Sequence, residues 1–247
     1  MKKQLPILLF FIIPAFVTAQ KFTRQEIIRY QQEAKAVTII RDNWGIPHIY
    51  GSTDANVVFG LMYSQCEDNF KGIEDNYLYQ IGKQTEVDGE SKLYTDVQLQ
   101  LIADSADAIK DYKASPLWFK KLMDAFADGI NFYLYKHPAT KSVFKHYEPW
   151  YALMFTDGSV SATVTGGLSL NETQRFYGSA AGPDMGYNYR APQKSVDVDE
   201  REIGSNGYAL SPSITASKHA MLFINPHVPF YFRSEVELVS NEGLNVY

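Results

Sequence analysis

Gly204-Ser205-Asn206-Gly207-Tyr208 stands where chain without periodicity becomes alternating strand. Upstream, the texture from Gly178 to Gly204 is that of a surface linker: Gly178-Ser179-Ala180-Ala181-Gly182-Pro183, then Pro192 and a mixed-charge stretch from Asp197 to Glu202. Downstream, Gly207 to Ser211, Ala220 to Asn225 and Ser234 to Ser240 are short alternating or apolar runs separated by turn residues, as in a sheet. A linker that opens into a strand is a place where a chain can be cut to leave a serine at a strand end.

The chain before the linker reads mostly as helix. Phe22 to Lys35 has helical periodicity, and the β-branched run Val37-Thr38-Ile39-Ile40-Arg41 then suits a strand. Asp42-Asn43-Trp44-Gly45 makes a turn, and Ile46-Pro47-His48-Ile49-Tyr50 resumes extended chain, because the residue before proline is pushed out of the helical basin. Ser52-Thr53-Asp54 offers acceptors for free helix-start amides, which predicts a long helix from there to about Ile81, ended by Gly82. A second helix is expected over Thr95 to Lys113. A third starts at Pro116, runs through Phe126 and Leu134 and stops near His137-Pro138.

At the front, Met1-Lys2-Lys3, an apolar run from Leu5 to Val17 and Thr18-Ala19-Gln20 have the three-part layout of an export signal, with cleavage expected after Ala19. Pro6 and Pro14 interrupt the run, and it is shorter than the roughly 20 residues a bilayer span needs, so no membrane span is expected. An exported, periplasmic or secreted protein follows. It would hold together without an internal disulfide, since Cys66 is the single cysteine. The net charge of -5 and the lack of long basic runs give no reason to expect nucleic acid as a partner. Cys66 falls in an amphipathic helical stretch and reads as a small buried hydrophobe. The five histidines lack metal-ligand spacing.

The chemistry available at the junction is nucleophilic. A serine freed at its own amine carries its own base: an α-amine has a pKa of about 7.7 to 8.0 and can take the hydroxyl proton directly or through water. The Ser205 hydroxyl could free that amine itself by attacking the Gly204 carbonyl, and glycine there lets the nucleophile approach. Taken alone, however, Gly204-Ser205-Asn206 is also an ordinary turn signal.

Four ordered blocks decide between those readings. The first is Ile40-Arg41-Asp42-Asn43-Trp44-Gly45-Ile46-Pro47-His48-Ile49-Tyr50; the second is Phe59-Gly60-Leu61-Met62-Tyr63-Ser64-Gln65-Cys66-Glu67-Asp68, followed by Gly82 and Glu86. The third is Ala127-Asp128-Gly129-Ile130-Asn131 with Glu148-Pro149-Trp150; the fourth joins Gly204-Ser205-Asn206 to Ser211-Pro212, Thr215-Ala216, Asn225-Pro226-His227 and Gly243-Leu244-Asn245-Val246. Together they resemble the penicillin acylase family over nearly all of the mature chain.

That resemblance implies an N-terminal-nucleophile hydrolase of α+β class, an αββα sandwich. Here it would comprise a helical α-subunit region (20–177), a spacer removed on maturation (178–204) and the start of a β-subunit (205–247). It implies Ser205 as catalytic nucleophile, cleavage between Gly204 and Ser205, support from Asn206, and His227 in contact with the nucleophile; a polar residue satisfied at a strand end is the other reading of His227. His48 is assigned to structural hydrogen bonding. No cofactor is required by this chemistry. Many relatives carry a structural calcium, and Glu172 is the one candidate ligand in this chain, the alternative being a solvated helix-end carboxylate.

The substrate class implied is a small N-acyl amide: a β-lactam side chain, an N-acyl-homoserine lactone or an acylated peptide. Tyr151 to Phe155 could line the acyl pocket or simply pack. Two departures stand out. Gly207-Tyr208 replaces the family's usual alanine-tryptophan, and the family's oxyanion donors lie beyond residue 247. Each such donor is worth about 2.7 to 4 kcal/mol, so this chain by itself is expected to be inactive without the rest of its β-subunit. A non-catalytic exported module of the same ancestry is the alternative reading.

Overall fold

The computed structural model describes residues 22–154, 167, 169–178, 204–227 and 234–247, with side chains from Asn206 to Asn225 in the hairpin after the junction. The expected signal (1–19), the interior of the expected spacer and Phe155 lie outside the described residues.

Helix α1 (Arg24–Lys35) starts in a capping box: the Thr23 hydroxyl accepts from the Glu26 amide while the Glu26 carboxylate accepts from the Thr23 amide at 2.7 Å. Strands β1 (Val37–Arg41) and β2 (Pro47–Gly51) form the expected antiparallel hairpin. Its turn is held by one side chain, since Asp42 Oδ1 accepts from the amides of Trp44 at 2.8 Å and Ile46 at 2.9 Å.

Helix α2 (Asp54–Gln80) is the centre of the molecule. Thr53 caps it, and it ends in a Schellman arrangement with Gly82 at φ 64°, a left-handed conformation that suits glycine. The helix kinks at Asn69, whose side chain accepts from the Gly72 amide at 3.0 Å. Two glycines allow close packing on its two sides. A Cβ on Gly60 would lie 2.7 Å from the side chains of both Ile49 and Val37, so α2 presses directly on the hairpin. A Cβ on Gly129 of α6 (Leu117–Lys136) would lie 2.4 Å from the Phe59 carbonyl oxygen, so the two helices approach at backbone distance.

Between α2 and α6 the expected single helix over 95–113 is broken. Instead α3 (Thr85–Asp88) and a 3₁₀ turn lead to α4 (Leu93–Ile102), and a separate α5 (Ser105–Ala114) follows. The cause is local: Ala103 is extended and Asp104 accepts from the Ala106 amide at 2.8 Å, so the aspartate caps a new helix rather than continuing the old one. Pro116 sits at the N-cap of α6, and α6 ends at Lys136 before His137.

The core between α1, α2, α6 and the segment at 144–151 is strongly aromatic: Phe22, Tyr30, Phe70, Tyr77, Phe144 and Tyr147 are buried together, with Tyr77 and Tyr147 edge to face at 5.0 Å. Cys66 is buried among them, and burial pushes its thiol far above the ordinary range, as befits a packing residue. Tyr151 and Met154, in the 3₁₀ turn Pro149–Met154, also pack against or within buried structure.

Beyond α7 (Leu170–Gly178), strands β3 (Gly204–Leu210) and β4 (Met221–His227) form a two-stranded antiparallel sheet of their own. Strands β5 (Glu237–Ser240) and β6 (Asn245–Val246) instead complete a four-stranded sheet ordered β1-β2-β5-β6, with β5 parallel to β2. Chain from both sides of the 204–205 junction therefore shares one sheet. The α+β class expected from the sequence is what the described residues form.

Candidate active site at the start of strand β3

Gly204 is the first residue of β3, as the change of texture there implied, and the register is fixed by the partner strand. Gly204 pairs with His227, Ser205 with Pro226, and Asn206 with Asn225. Ser205 and His227 thus sit one register step apart on adjacent strands, at the same end of the hairpin. Their side chains lie outside the described residues. Six residues of block four, Gly204 to Asn206 and Asn225 to His227, are brought to one end of the hairpin by the pairing of β3 with β4.

The hairpin's far end is built to hold that register. Thr215 is buried, its hydroxyl donating to the His219 carbonyl at 2.8 Å, and Lys218 takes a positive φ of 59° in the same connection. The strands themselves are apolar and uncovered among the described residues: Leu222 is 70% exposed, Ile224 64% and Tyr208 60%. Surfaces of this kind are interaction surfaces.

The remaining candidates fall elsewhere. His48 lies on β2, where Nδ1 meets Glu237 Oε2 of β5 at 2.5 Å and Nε2 lies 3.6 Å from Asp42 Oδ2. Glu172 closes a capping box on α7: its Oε2 accepts from the Ser169 amide at 3.0 Å and the Ser169 hydroxyl at 2.7 Å, which hold its carboxyl below the usual range. Among the described residues no group of three histidine, cysteine or acidic side chains comes together to hold a metal ion.

A cleft of about 90 Å³ is lined by Met62, Gln65, Ile73, Asn76, Tyr77 and Phe126, all from α2 and α6 and none from the strand end at Ser205. No helix among the described residues is long and apolar enough to cross a membrane.

Sequence reasoning missed the ion pairs that set the helical half. Asp128 of block three is 3% exposed and takes a two-pronged bond from Arg29 of α1, at 2.6 and 2.8 Å. Burial pushes the Asp128 carboxyl up, while the guanidinium opposes it. The Asp128-Gly129 dipeptide carried the signal: a buried acid beside a glycine of close approach.

A model of the penicillin amidase family matches residues 36–247, from the start of β1 through the candidate junction to the last residue. The chain belongs to the penicillin amidase family. Among relatives of this penicillin amidase family chain, the acyl-homoserine lactone acylase PvdQ of Pseudomonas syringae pv. tomato is 24% identical over 249 residues, covering 89% of this chain and 31% of that protein. The acyl-homoserine lactone acylase QuiP of Pseudomonas fluorescens (strain Pf-5) is 28% identical over 104 residues, 42% of this chain and 13% of that protein. The chain therefore spans about a third or less of the length of these relatives. A thermostable penicillin G acylase from Alcaligenes faecalis superposes with a TM-score of 0.46 at 18% identity, over 57% of this chain and 81% of that one.

Proposed function

We propose that this penicillin amidase family chain is the front part of a self-cleaving amide hydrolase in which Ser205 is the nucleophile. In maturation the Ser205 hydroxyl attacks the Gly204 carbonyl carbon, the C–N bond breaks as the acyl group passes to oxygen, and water hydrolyses the ester. The products are a Gly204 carboxylate and a free α-amine on Ser205. In turnover the α-amine takes the hydroxyl proton as oxygen attacks the substrate's amide carbonyl, then gives it to the leaving amine; water releases the acid from the acyl-enzyme. Asn206 supports the nucleophile, and His227 orients it from the partner strand.

The substrate class is a small N-acyl amide with a hydrophobic acyl group, acyl-homoserine lactones standing first because the relatives PvdQ and QuiP are named for them. The precursor is exported, on the layout of residues 1–19, and its active form includes β-subunit chain beyond residue 247 that supplies the oxyanion donors. The observation that carries this reading is that the family match over residues 36–247 spans a junction where Ser205 is the second residue of strand β3. Expression of the full-length precursor with medium- and long-chain acyl-homoserine lactones and with a phenylacetyl amide tests it: release of the free amine by wild type, and none by Ser205→Ala, is the expected result.

A further inference from the structure

The four-stranded sheet joins chain from both sides of Ser205, and one side chain stands at the seam. His48, on β2, meets Glu237 of β5 through Nδ1 at 2.5 Å and faces Asp42 of the β1–β2 turn through Nε2 at 3.6 Å. The Tyr50 hydroxyl of β2 reaches the same Glu237 oxygen at 3.4 Å. Glu235 and Tyr247 complete the surroundings, since Tyr247 interacts with Glu235, Asp42 and Glu237. Arg41, at the end of β1, is engaged with Asp68, Glu67 and the carbonyls of Gly45 and Ser64. The seam thus places the His48 ring between Asp42 and Glu237, with Glu235 reaching the group through Tyr247.

We propose that His48 is a protonation-controlled clamp that fastens the start of β5 onto β2. As an imidazolium it is hydrogen-bonded through Nδ1 to Glu237 of β5, and its positive charge faces Asp42 of the turn across 3.6 Å. As a neutral ring it carries no charge, so even a tautomer that keeps the Nδ1–H on Glu237 loses the attraction that holds Glu237 and Asp42 on either side of the ring, and the two acids repel across the seam. The far end of β5 is fastened independently of His48: the Ser240 hydroxyl meets Asp54 at 2.5 Å, the Asp54 amide donates to Glu242 at 2.8 Å and the Asn241 amide to the Gly51 carbonyl at 3.2 Å. Loss of the proton therefore frays the start of the strand, around Glu237 and Leu238, and leaves its end in place.

The hydrogen bond with Glu237 and the pull of Asp42 raise the His48 pKa above the ordinary histidine value. The clamp is accordingly complete below that ordinary value and is lost as pH rises through the raised one. Clamping does not require the 204–205 bond to be cut, so it stands or falls apart from the proposed function. If that function holds, the clamp ties the α- and β-chains together and weakens toward the alkaline side, where a terminal amine becomes a better base.

Amide hydrogen exchange at Glu237, Leu238 and Val239, corrected for intrinsic rates, tests this in the full-length precursor carrying Ser205→Ala, which keeps the chain uncut. Protection is expected to fall about tenfold or more between pH 6 and pH 9, while that of Asn241 holds. In His48→Gln it should be low and flat over the same range. Should that variant not fold, Glu237→Gln serves: the His48 ring, followed by NMR, should titrate lower than in the parent. Equal pH profiles in parent and His48→Gln, or an unmoved His48 titration in Glu237→Gln, would overturn the clamp.

Discussion

Asp128 and Glu33 show how a buried acid behaves with and without a donor. Asp128 has its arginine, so Asp128→Asn should cost about 2 kcal/mol in denaturant unfolding, between the values for an exposed and a fully buried pair because Arg29 is half exposed. Glu33 sits beside the pair with a buried Oε2 that has no hydrogen-bond partner among the described residues. Burial first, and the neighbouring Asp128 charge second, push its carboxyl up to about 8. At pH 7 the folded chain therefore keeps a proton on Glu33 that the unfolded chain has lost. This contribution to stability is complete below the ordinary glutamate range and drains away as pH rises toward 8. Glu33→Gln should flatten that slope, measured as unfolding midpoints at pH 5, 6.5 and 8; an unchanged slope would place the titration elsewhere. Asp128 was legible in the sequence only as a member of a block, and Glu33 not at all. Which carboxylate is buried depends on α1 lying against α6, a long-range fact that helical periodicity does not encode.

Among elements, the hairpin β1–β2, helix α2 and helix α6 were read correctly because each carries its own start and stop: Asp42 for the turn, Thr53 and Gly82 for α2, Pro116 and His137-Pro138 for α6. The α4–α5 break was missed because Asp104 in a periodic stretch looks like an exposed helical residue until its side chain is seen capping Ala106. Close packing of α2 between the hairpin and α6 was visible only as glycines inside helix patterns. Gly129→Ala should destabilise by about 1–3 kcal/mol, since a methyl at 2.4 Å from a backbone oxygen forces the helices apart. Thr53→Ala should cost about 1 kcal/mol through the lost cap. Thermal or denaturant melts compare them directly, and a larger loss for the cap than for the glycine would contradict the central role given to the α2–α6 approach.

At the scale of the whole molecule the order of strands carries the most information. The sequence announced strands after Ser205, but not that the first pair would stand apart while β5 crossed back to β2, since pairing partners depend on packing rather than on the alternation within any one strand. The β3–β4 hairpin leaves Leu222, Phe223 and Ile224 uncovered among the described residues. Residues 20–247 expressed alone should self-associate through that hairpin, and Leu222→Lys with Ile224→Lys should shift sedimentation toward monomer. Self-association unchanged by these charges would locate the sticky surface elsewhere. The start of strand β3 at Gly204 was legible from sequence because composition changes there, and the register puts Ser205 and His227 on neighbouring strands.

The most direct test is intact-mass and N-terminal sequencing of the mature protein made from the full-length precursor. A chain beginning Ser205-Asn206-Gly207, with Ser205→Ala left uncut and inactive, is the result expected. An active enzyme in which the bond between Gly204 and Ser205 is intact would contradict it.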